Sequence, residues 1–245
     1  MSPNYIDGPN GKLAIEKIDG TGPTVIWLGG FRSDMTGTKA GYLADWAKAR
    51  GQAFLRFDYS GHGASAGEFE KGCISDWAAD ARHAIETLTE GPVIPVGSSM
   101  GGWVSCLLIP HLKARLAGLV FIAPAPDFTS ELMWPSFSEE VQKTILEQGF
   151  IDEPSEYDEA PTRITQKLIE DGAQNKVLNR PIEVEAPVRV LQGMADPDVP
   201  WEHAIRLVET LTSSDIQILM TKSGDHRLSS PEDLARLGAV LDELT

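Results

Sequence analysis

Short apolar runs bounded by glycine or proline alternate along this chain with longer stretches whose apolar residues recur at helical spacing. The runs Thr24–Leu28, Ala53–Tyr59, Val93–Val96, Gly118–Ala123, Val188–Leu191 and Ile216–Met220 predict strands. Between them, Thr38–Arg50 carries Tyr42, Leu43, Trp46 and Ala47 at helical spacing and stops at Gly51, which predicts a helix. Ile74–Leu88 predicts another, with Ile74, Trp77, Ala78, Ala81, Ile85 and Leu88 on one face. Trp103–Ile109, His203–Leu211 and Pro231–Leu244 complete the helical set, the last with proline near its start. Leu13–Ile18 alternates apolar with polar after a Pro9-Asn10-Gly11 turn, the pattern of an edge hairpin. Strands alternating with helices predict an α/β fold, a mostly parallel twisted sheet with helices on both faces.

One interval breaks the rhythm. About 60 residues separate Ala123 from Val188, far more than an ordinary connection needs. We expect an inserted segment, residues 127–186, in a core made of residues 1–126 and 187–245. It opens with Phe128, Leu132, Met133, Trp134 and Phe137. Ser136 and Glu139 have capping-box spacing and predict a helix through Leu146. Arg163–Glu170 predicts a second helix, ended by Gly172, with Tyr157–Pro161 as the loop between them. The segment leaves the carboxyl end of a central strand, the edge where α/β sheets bind ligands. It therefore predicts a helical cap, with Met133, Trp134 and Phe137 lining an apolar acyl pocket. An independent helical decoration is the alternative.

The chemistry concentrates in VIPVGSSMGGWVSCLLIPH, residues 93–111. A buried-type strand runs into Gly97-Ser98-Ser99-Met100-Gly101 and then into a helix. Strand, G-x-S-x-G, helix is the nucleophile elbow of α/β-hydrolases. A serine hydroxyl is a poor nucleophile unless the chain holds it out beside a base. Small residues two positions either side of Ser99 let the turn be tight. They also leave the N–H of Met100 aimed where an oxyanion would form. Gly63-Ala64-Ser65-Ala66-Gly67 matches the same pattern, but it runs into a polar loop, so Ser65 reads as a turn residue.

A nucleophilic serine needs a base, and the base an orienting acid. In α/β-hydrolases the acid and then the histidine follow the serine. Three histidines follow Ser99. His111 lies at the far end of the elbow helix, about 18 Å away at ~1.5 Å per residue. His203 reads as an amphipathic surface residue in the first turn of a helix. His226 lies in a loop after the last strand, where it can reach the sheet's carboxyl edge, and is the candidate base. Asp196 follows the strand Val188–Leu191 and is the favoured acid. Asp198 competes with it, with capping of the next helix as its ordinary role. His62 precedes Ser99 and reads as a structural loop histidine. The loop Leu28-Gly29-Gly30-Phe31-Arg32 offers the N–H of Phe31 as a second oxyanion donor, Gly30 for close backbone approach, and Arg32 as a contact for an anionic substrate group. No metal or cofactor is called for by this chemistry.

Composition narrows the partners. The 245 residues carry a formal net charge of −15, which disfavours nucleic acid and anionic membrane surfaces. No apolar stretch approaches the ~20 residues of a membrane span. Only Cys73 and Cys106 are present and no secretory signal is visible, so a reducing, cytoplasmic address is expected. The expected partner is a small-molecule ester or thioester, or an acylated protein.

The segments LGGFRSDMTGTKA, FLRFDYSGHGAS, VGSSMGGW, LQGMADPDVPW and GDHRLS together resemble one branch of the α/β-hydrolase superfamily. Its bacterial members are small esterases. Its animal members are mitochondrial palmitoyl-protein thioesterases that also cleave acyl-glucuronides. The resemblance runs from about residue 10 to the C-terminus, weakest over 127–186. It implies triad roles for Ser99, Asp196 and His226 and a serine hydrolase acting on carboxylic esters or thioesters. Two other readings stay open: a non-catalytic ligand-binding protein of the same fold, and a different chemistry on it, such as C–C hydrolysis or perhydrolysis.

Overall fold

In this computed structural model, which describes residues 3–154 and 161–245, the apolar runs become an eight-stranded sheet. Its strands are β1 (Asn4–Gly8), β2 (Gly11–Ile18), β3 (Thr21–Leu28), β4 (Gln52–Phe57), β5 (Val93–Ser98), β6 (Leu119–Ile122), β9 (Val188–Gly193) and β10 (Ile216–Thr221). The spatial order is β1-β2-β4-β3-β5-β6-β9-β10. From β4 to β10 every pairing is parallel, while β1–β2 and β2–β4 are antiparallel. The N-terminal hairpin thus lies at an edge, as its polar–apolar alternation predicts.

Period-two alternation divides the central strands between two cores. Ile26, Leu28, Leu55, Phe121 and Val190 face the first core with α2 (Ile74–Leu88), α3 (Met100–Leu112) and α7 (Trp201–Thr210). Val25, Trp27, Phe54, Val120 and Ile122 face the second with α1 (Thr38–Arg50) and α8 (Pro231–Leu244). Both faces are covered, which explains why these strands read as continuous apolar runs.

The inserted stretch departs from an all-helical expectation. A wide helical turn, Thr129–Met133, runs into α4 (Trp134–Ser136) and then α5 (Glu139–Gln148). Strands β7 (Phe150–Glu153) and β8 (Thr162–Thr165) pair antiparallel, and α6 (Gln166–Gln174) follows. The expected second helix therefore begins at Gln166. Arg163 belongs to a strand, with both ends of its guanidinium on Asp152 at 2.8 Å. The expected loop Tyr157–Pro161 falls, except for Pro161, outside the described residues. The expected capping box is displaced as well. Ser138 caps α5 by accepting from the Val141 N–H, while the Ser136 hydroxyl donates to the Met133 carbonyl. Gly172 does not end a helix. It lies inside α6, where a Cβ would meet Thr129 Oγ1 at 2.1 Å and Trp103 at 3.0 Å.

The stretch is fastened to the core. Asp171 accepts from the Ser75 N–H and hydroxyl at 2.9 and 2.5 Å, and Lys167 reaches Asp76 at 2.7 Å. Within the stretch, Asp127, wholly buried, accepts from the N–H groups of Val177 and Leu178 and ties its start to its later part. These are contacts between segments far apart in sequence, and no local pattern announces them.

Two glycines on helices test this packing. A Cβ at Gly101 would lie 2.0 Å from the Leu28 carbonyl oxygen, while one at Gly41 would meet nothing within 4 Å. We expect Gly101→Ala to lower Tm by at least about 4 °C and Gly41→Ala to raise it by about 2–3 °C, from overpacking in one case and helix propensity in the other. Thermal melts of both variants check this; a neutral Gly101→Ala contradicts the described backbone contact.

Candidate active site

Ser99 sits between β5 and α3 with φ 54° and ψ −118°, a left-handed backbone that a non-glycine residue rarely adopts. Its own main chain holds it there. The Ser99 N–H donates to the Ile122 carbonyl at 2.9 Å, and its carbonyl accepts from Gly102 at 2.9 Å and Ala125 at 3.1 Å. The flanking glycines are needed sterically. A Cβ at Gly97 would lie 2.4 Å from the Gly101 carbonyl oxygen.

The loop after β10 brings His226 to this serine. His226 Nε2 lies 3.0 Å from Ser99 Oγ, and His226 Nδ1 lies 2.8 Å from Asp196 Oδ2. Ser99, Asp196 and His226, chosen from the sequence, therefore form one hydrogen-bonded line across three separate loops. The Asp196 side chain is fully buried. Burial pushes its carboxyl up, but the His226 hydrogen bond and the N–H groups of Val199 and Asp198, each 2.8 Å from Oδ1, outweigh burial and hold it below the ordinary carboxylate range. The carboxylate stays ionised against the imidazole. The buried Gln192, which no motif singled out, braces the same loop by donating to the Gly193 carbonyl at 2.9 Å.

The competing candidates go elsewhere. Asp198 is exposed and lines the cleft, but it does not cap α7, whose N-cap is Pro200. Ser65 donates to the Asp58 carbonyl and accepts from the Ala14 N–H, a turn-fixing role. His111 is exposed at the end of α3. The expectation of a surface His203 is corrected. It is buried, its Nε2 lies 2.6 Å from the Pro126 carbonyl, and burial lowers its pKa. The inward face of α7 is where it falls, which helical spacing alone did not resolve.

Gly30 approaches Ser99 closely enough that a Cβ there would lie 3.4 Å from Ser99 Cβ. This puts the Gly30–Phe31 peptide beside the serine. Met100 is the first residue of α3, so its N–H has no intrahelical acceptor. The Phe31 ring is fixed by edge contacts with Phe69, Trp77 and Phe128, centroids 4.9–6.0 Å away. Arg32, with φ 56°, points to the inserted stretch, where its Nη1 donates to the Pro161 carbonyl and Thr162 Oγ1, both at 3.1 Å.

A cleft of about 1240 Å³ opens over Ser99. Gly30, Phe31, Arg32 and His226 line it, with Phe128, Leu132, Met133 and Pro135 from the inserted stretch. Thr38, Lys39, Arg227 and Ser229 line it as well. Met133 thus falls where expected, but Trp134 and Phe137 are corrected. Neither lines the cleft; their rings meet edge-on 6.5 Å apart. Leu132, Met133, Pro135 and Ser136 lie on the cleft side, whereas Trp134 and Phe137, three residues apart, share the other. Among the described residues, Asp196, Asp198 and His226 alone bring three potential metal-ligand atoms within 4.8 Å of one another. Two of these three are already engaged with each other.

Comparison with known proteins gives the family. The sequence profile of the Alpha/beta hydrolase family matches residues 25–240. The chain belongs to that family and is a hydrolase. It is 35% identical over 239 residues to the mitochondrial palmitoyl-protein thioesterase ABHD10 of Bos taurus, covering 97% of this chain and 77% of that one. Among solved structures it resembles a putative hydrolase from Agrobacterium vitis, with a TM-score of 0.94 and 43% identity over 99% of this chain and 98% of the other. It also resembles mouse α/β-hydrolase domain-containing protein 10, with a TM-score of 0.91 and 32% identity over 100% and 98%. Among the described residues no helix is long and apolar enough to cross a membrane.

One buried histidine gives a pH signature. His62 is 3% exposed among Tyr59, Phe69 and Trp77; its Nδ1 meets the Ser60 carbonyl at 3.2 Å and its Nε2 has no partner. Burial pushes it down to about 4 from an ordinary 6.5. In that window the unfolded chain binds a proton that the fold does not. Stability is therefore full above about 6.5 and is lost as pH falls toward 4. The Ser60 carbonyl also accepts from Trp77 Nε1, so His62→Phe leaves it satisfied. We expect His62→Phe to lose less Tm than the unsubstituted chain between neutral pH and pH about 4.5. Parallel pH slopes for the two proteins, measured by calorimetry, contradict the buried neutral imidazole.

Proposed function

We propose that this hydrolase cleaves carboxylic ester or thioester bonds through an acyl-enzyme on Ser99. The observation that carries the reading is the line Ser99 Oγ–His226–Asp196, at 3.0 and 2.8 Å, with the serine in a left-handed turn at the mouth of the cleft. Ser99 Oγ attacks the acyl carbon while His226 Nε2 takes its proton. Asp196 keeps the imidazole in the tautomer with its proton on Nδ1 and stabilises the imidazolium that forms. The N–H groups of Phe31 and Met100 hold the tetrahedral oxyanion. Collapse expels the alcohol or thiol, which takes the proton from His226. Water then adds to the acyl-enzyme, giving its proton to His226, and the acid leaves as the proton returns to Ser99. Each step conserves atoms and needs no oxidant or further reactant.

The segment 127–186 is read as a cap over this centre, and Phe128, Leu132 and Met133 as its acyl-binding face. Burying an acyl chain there contributes about 0.8 kcal/mol per CH₂. Gly30 gives the substrate close access to the backbone, and Arg32 joins the oxyanion loop to the cap. The relatives' name carries the thioester of an acylated protein, and the open cleft has room for such a leaving group. Cys73 and Cys106 are both free and buried, which suits a reducing compartment.

A fluorophosphonate probe is expected to label the protein on Ser99, seen by mass spectrometry, and labelling that persists in Ser99→Ala would sink the assignment. Asp196→Asn should lower kcat by on the order of 10³–10⁴, and Asp198→Asn by less than about tenfold. The opposite ranking shows that the wrong carboxylate was chosen. Over a graded series of p-nitrophenyl esters, Met133→Ala should raise KM for the longer chains more than for acetate, whereas Trp134→Ala should lower Tm without a chain-length trend. An equal shift of KM at every length in Met133→Ala contradicts an acyl-binding role.

A further inference from the structure

Lys39 lies in the first turn of α1, far in sequence from the loop that carries His226. Its ammonium donates to the Arg227 carbonyl, in the 227–228 peptide one residue beyond His226, and lies 3.4 Å from Ser229 Oγ. The Ser229 hydroxyl donates to the same Arg227 carbonyl at 3.0 Å. The N–H of the same peptide is held too, and the loop is pinned again before His226. Leu228 is 5% exposed with φ 42°, and its N–H donates to Asp225 Oδ1 at 2.9 Å. The Gly224 N–H donates to Thr221, and the Gly224 carbonyl accepts from Ala195. Lys39 reaches this peptide from another element, and it also lines the cleft.

We infer that Lys39 is a positioning residue for the reaction, its charged ammonium fixing the 227–228 peptide, one residue beyond His226, so that His226 Nε2 stays on Ser99 Oγ. The inference rests on the acyl-enzyme reading above. Its physical basis is that a charged donor holds a carbonyl roughly twice as strongly as a neutral one. A half-buried ammonium is retained at this carbonyl at a solvation cost that a neutral donor would not carry. Burial pushes Lys39 down to about 8. The charged groups facing it are Asp225 and Arg227 from the loop and Asp233 from α8; the two carboxylates pull its pKa up and Arg227 pushes it down. Asp233 is itself engaged with Arg236 and Ser230. Above pH about 8 the Lys39 hydrogen bond loses its charge and the imidazole is held less firmly.

The test measures kcat and KM for p-nitrophenyl butyrate, and the rate of fluorophosphonate labelling, from about pH 6 to about pH 10 in Lys39→Met, Lys39→Arg and the unsubstituted enzyme. A small misplacement of a catalytic group costs up to on the order of a hundredfold. Lys39→Met is expected to lose on the order of tenfold in kcat with KM within about twofold, and to lose labelling rate in parallel. Lys39→Arg is expected to recover most of the loss. It should also keep its rate above pH 8, where the unsubstituted enzyme declines. Equal labelling rates in Lys39→Met and the unsubstituted enzyme overturn the inference, and so does an alkaline decline that survives in Lys39→Arg. Should Lys39→Met fail to fold, the pH comparison with Lys39→Arg decides alone. Label found away from Ser99 in the unsubstituted enzyme overturns the acyl-enzyme reading itself, whereas label on Ser99 that ignores Lys39 overturns only the positioning role.

Discussion

Three backbones touch at Ser99, and the site depends on that contact. β5 enters the turn and α3 leaves it, packed so closely that no Cβ fits at Gly97 against α3, nor at Gly101 against the end of β3. Only there can the serine be held at φ 54°. A left-handed non-glycine residue costs on the order of 1–3 kcal/mol and persists where its surroundings over-determine it. Here they do. The Ser99 N–H and carbonyl are hydrogen-bonded to Ile122, Gly102 and Ala125, so the turn cannot relax without breaking bonds to β6 and the chain that follows it. The same contact brings Gly30, and with it the Phe31 peptide, beside the serine.

Around this fixed point the site is assembled from chain ends of the sheet, each stiffened by buried polar groups. Asp196 is fully buried yet accepts two N–H groups from its own loop besides the imidazole, so its charge is compensated before any substrate arrives. Phe31 plays the corresponding part among apolar groups. Its ring touches Phe69, Trp77 and Phe128, which belong to a connecting loop, to α2 and to the inserted stretch. The oxyanion loop is therefore packed against both the core and the stretch that overhangs the cleft. Aromatic pairs of this kind add about 0.5–1.5 kcal/mol beyond the area they bury.

The inserted stretch follows different rules. The two cores are filled by residues that alternate in the strands and recur every three or four positions in the helices. The inserted stretch adds Leu168, Val177, Ile182 and Val184 to the first core, and it is held further by polar contacts to α2 and by Arg32. The apolar residues that open it are left partly exposed, Phe128, Leu132 and Met133 toward the cleft and Trp134 with Phe137 away from it.

How much of this was legible depended on the range of the interaction. Strands and helices of the core were readable because burial on both faces of a sheet writes continuous apolar runs, and burial on one face of a helix writes a 3.6-residue period. Ser99 was readable because the steric demand for glycine acts two residues away. Asp196 and His226 could be placed because each lies just beyond a recognisable strand. The inserted stretch was not, since the strand pair β7–β8 and the Ser138 cap depend on contacts rather than on periodicity. The sequence by itself determined the order of elements, the two-faced sheet and the identity of three residues in line. The tertiary structure alone decided that the turn before α4 points Met133 toward the cleft, that His203 is buried, and that Lys39 meets the loop of His226. The reason is that these outcomes are set by side chains meeting across tens to hundreds of residues. Local sequence carries the cost of turning and burying the chain, but not the address of the partner.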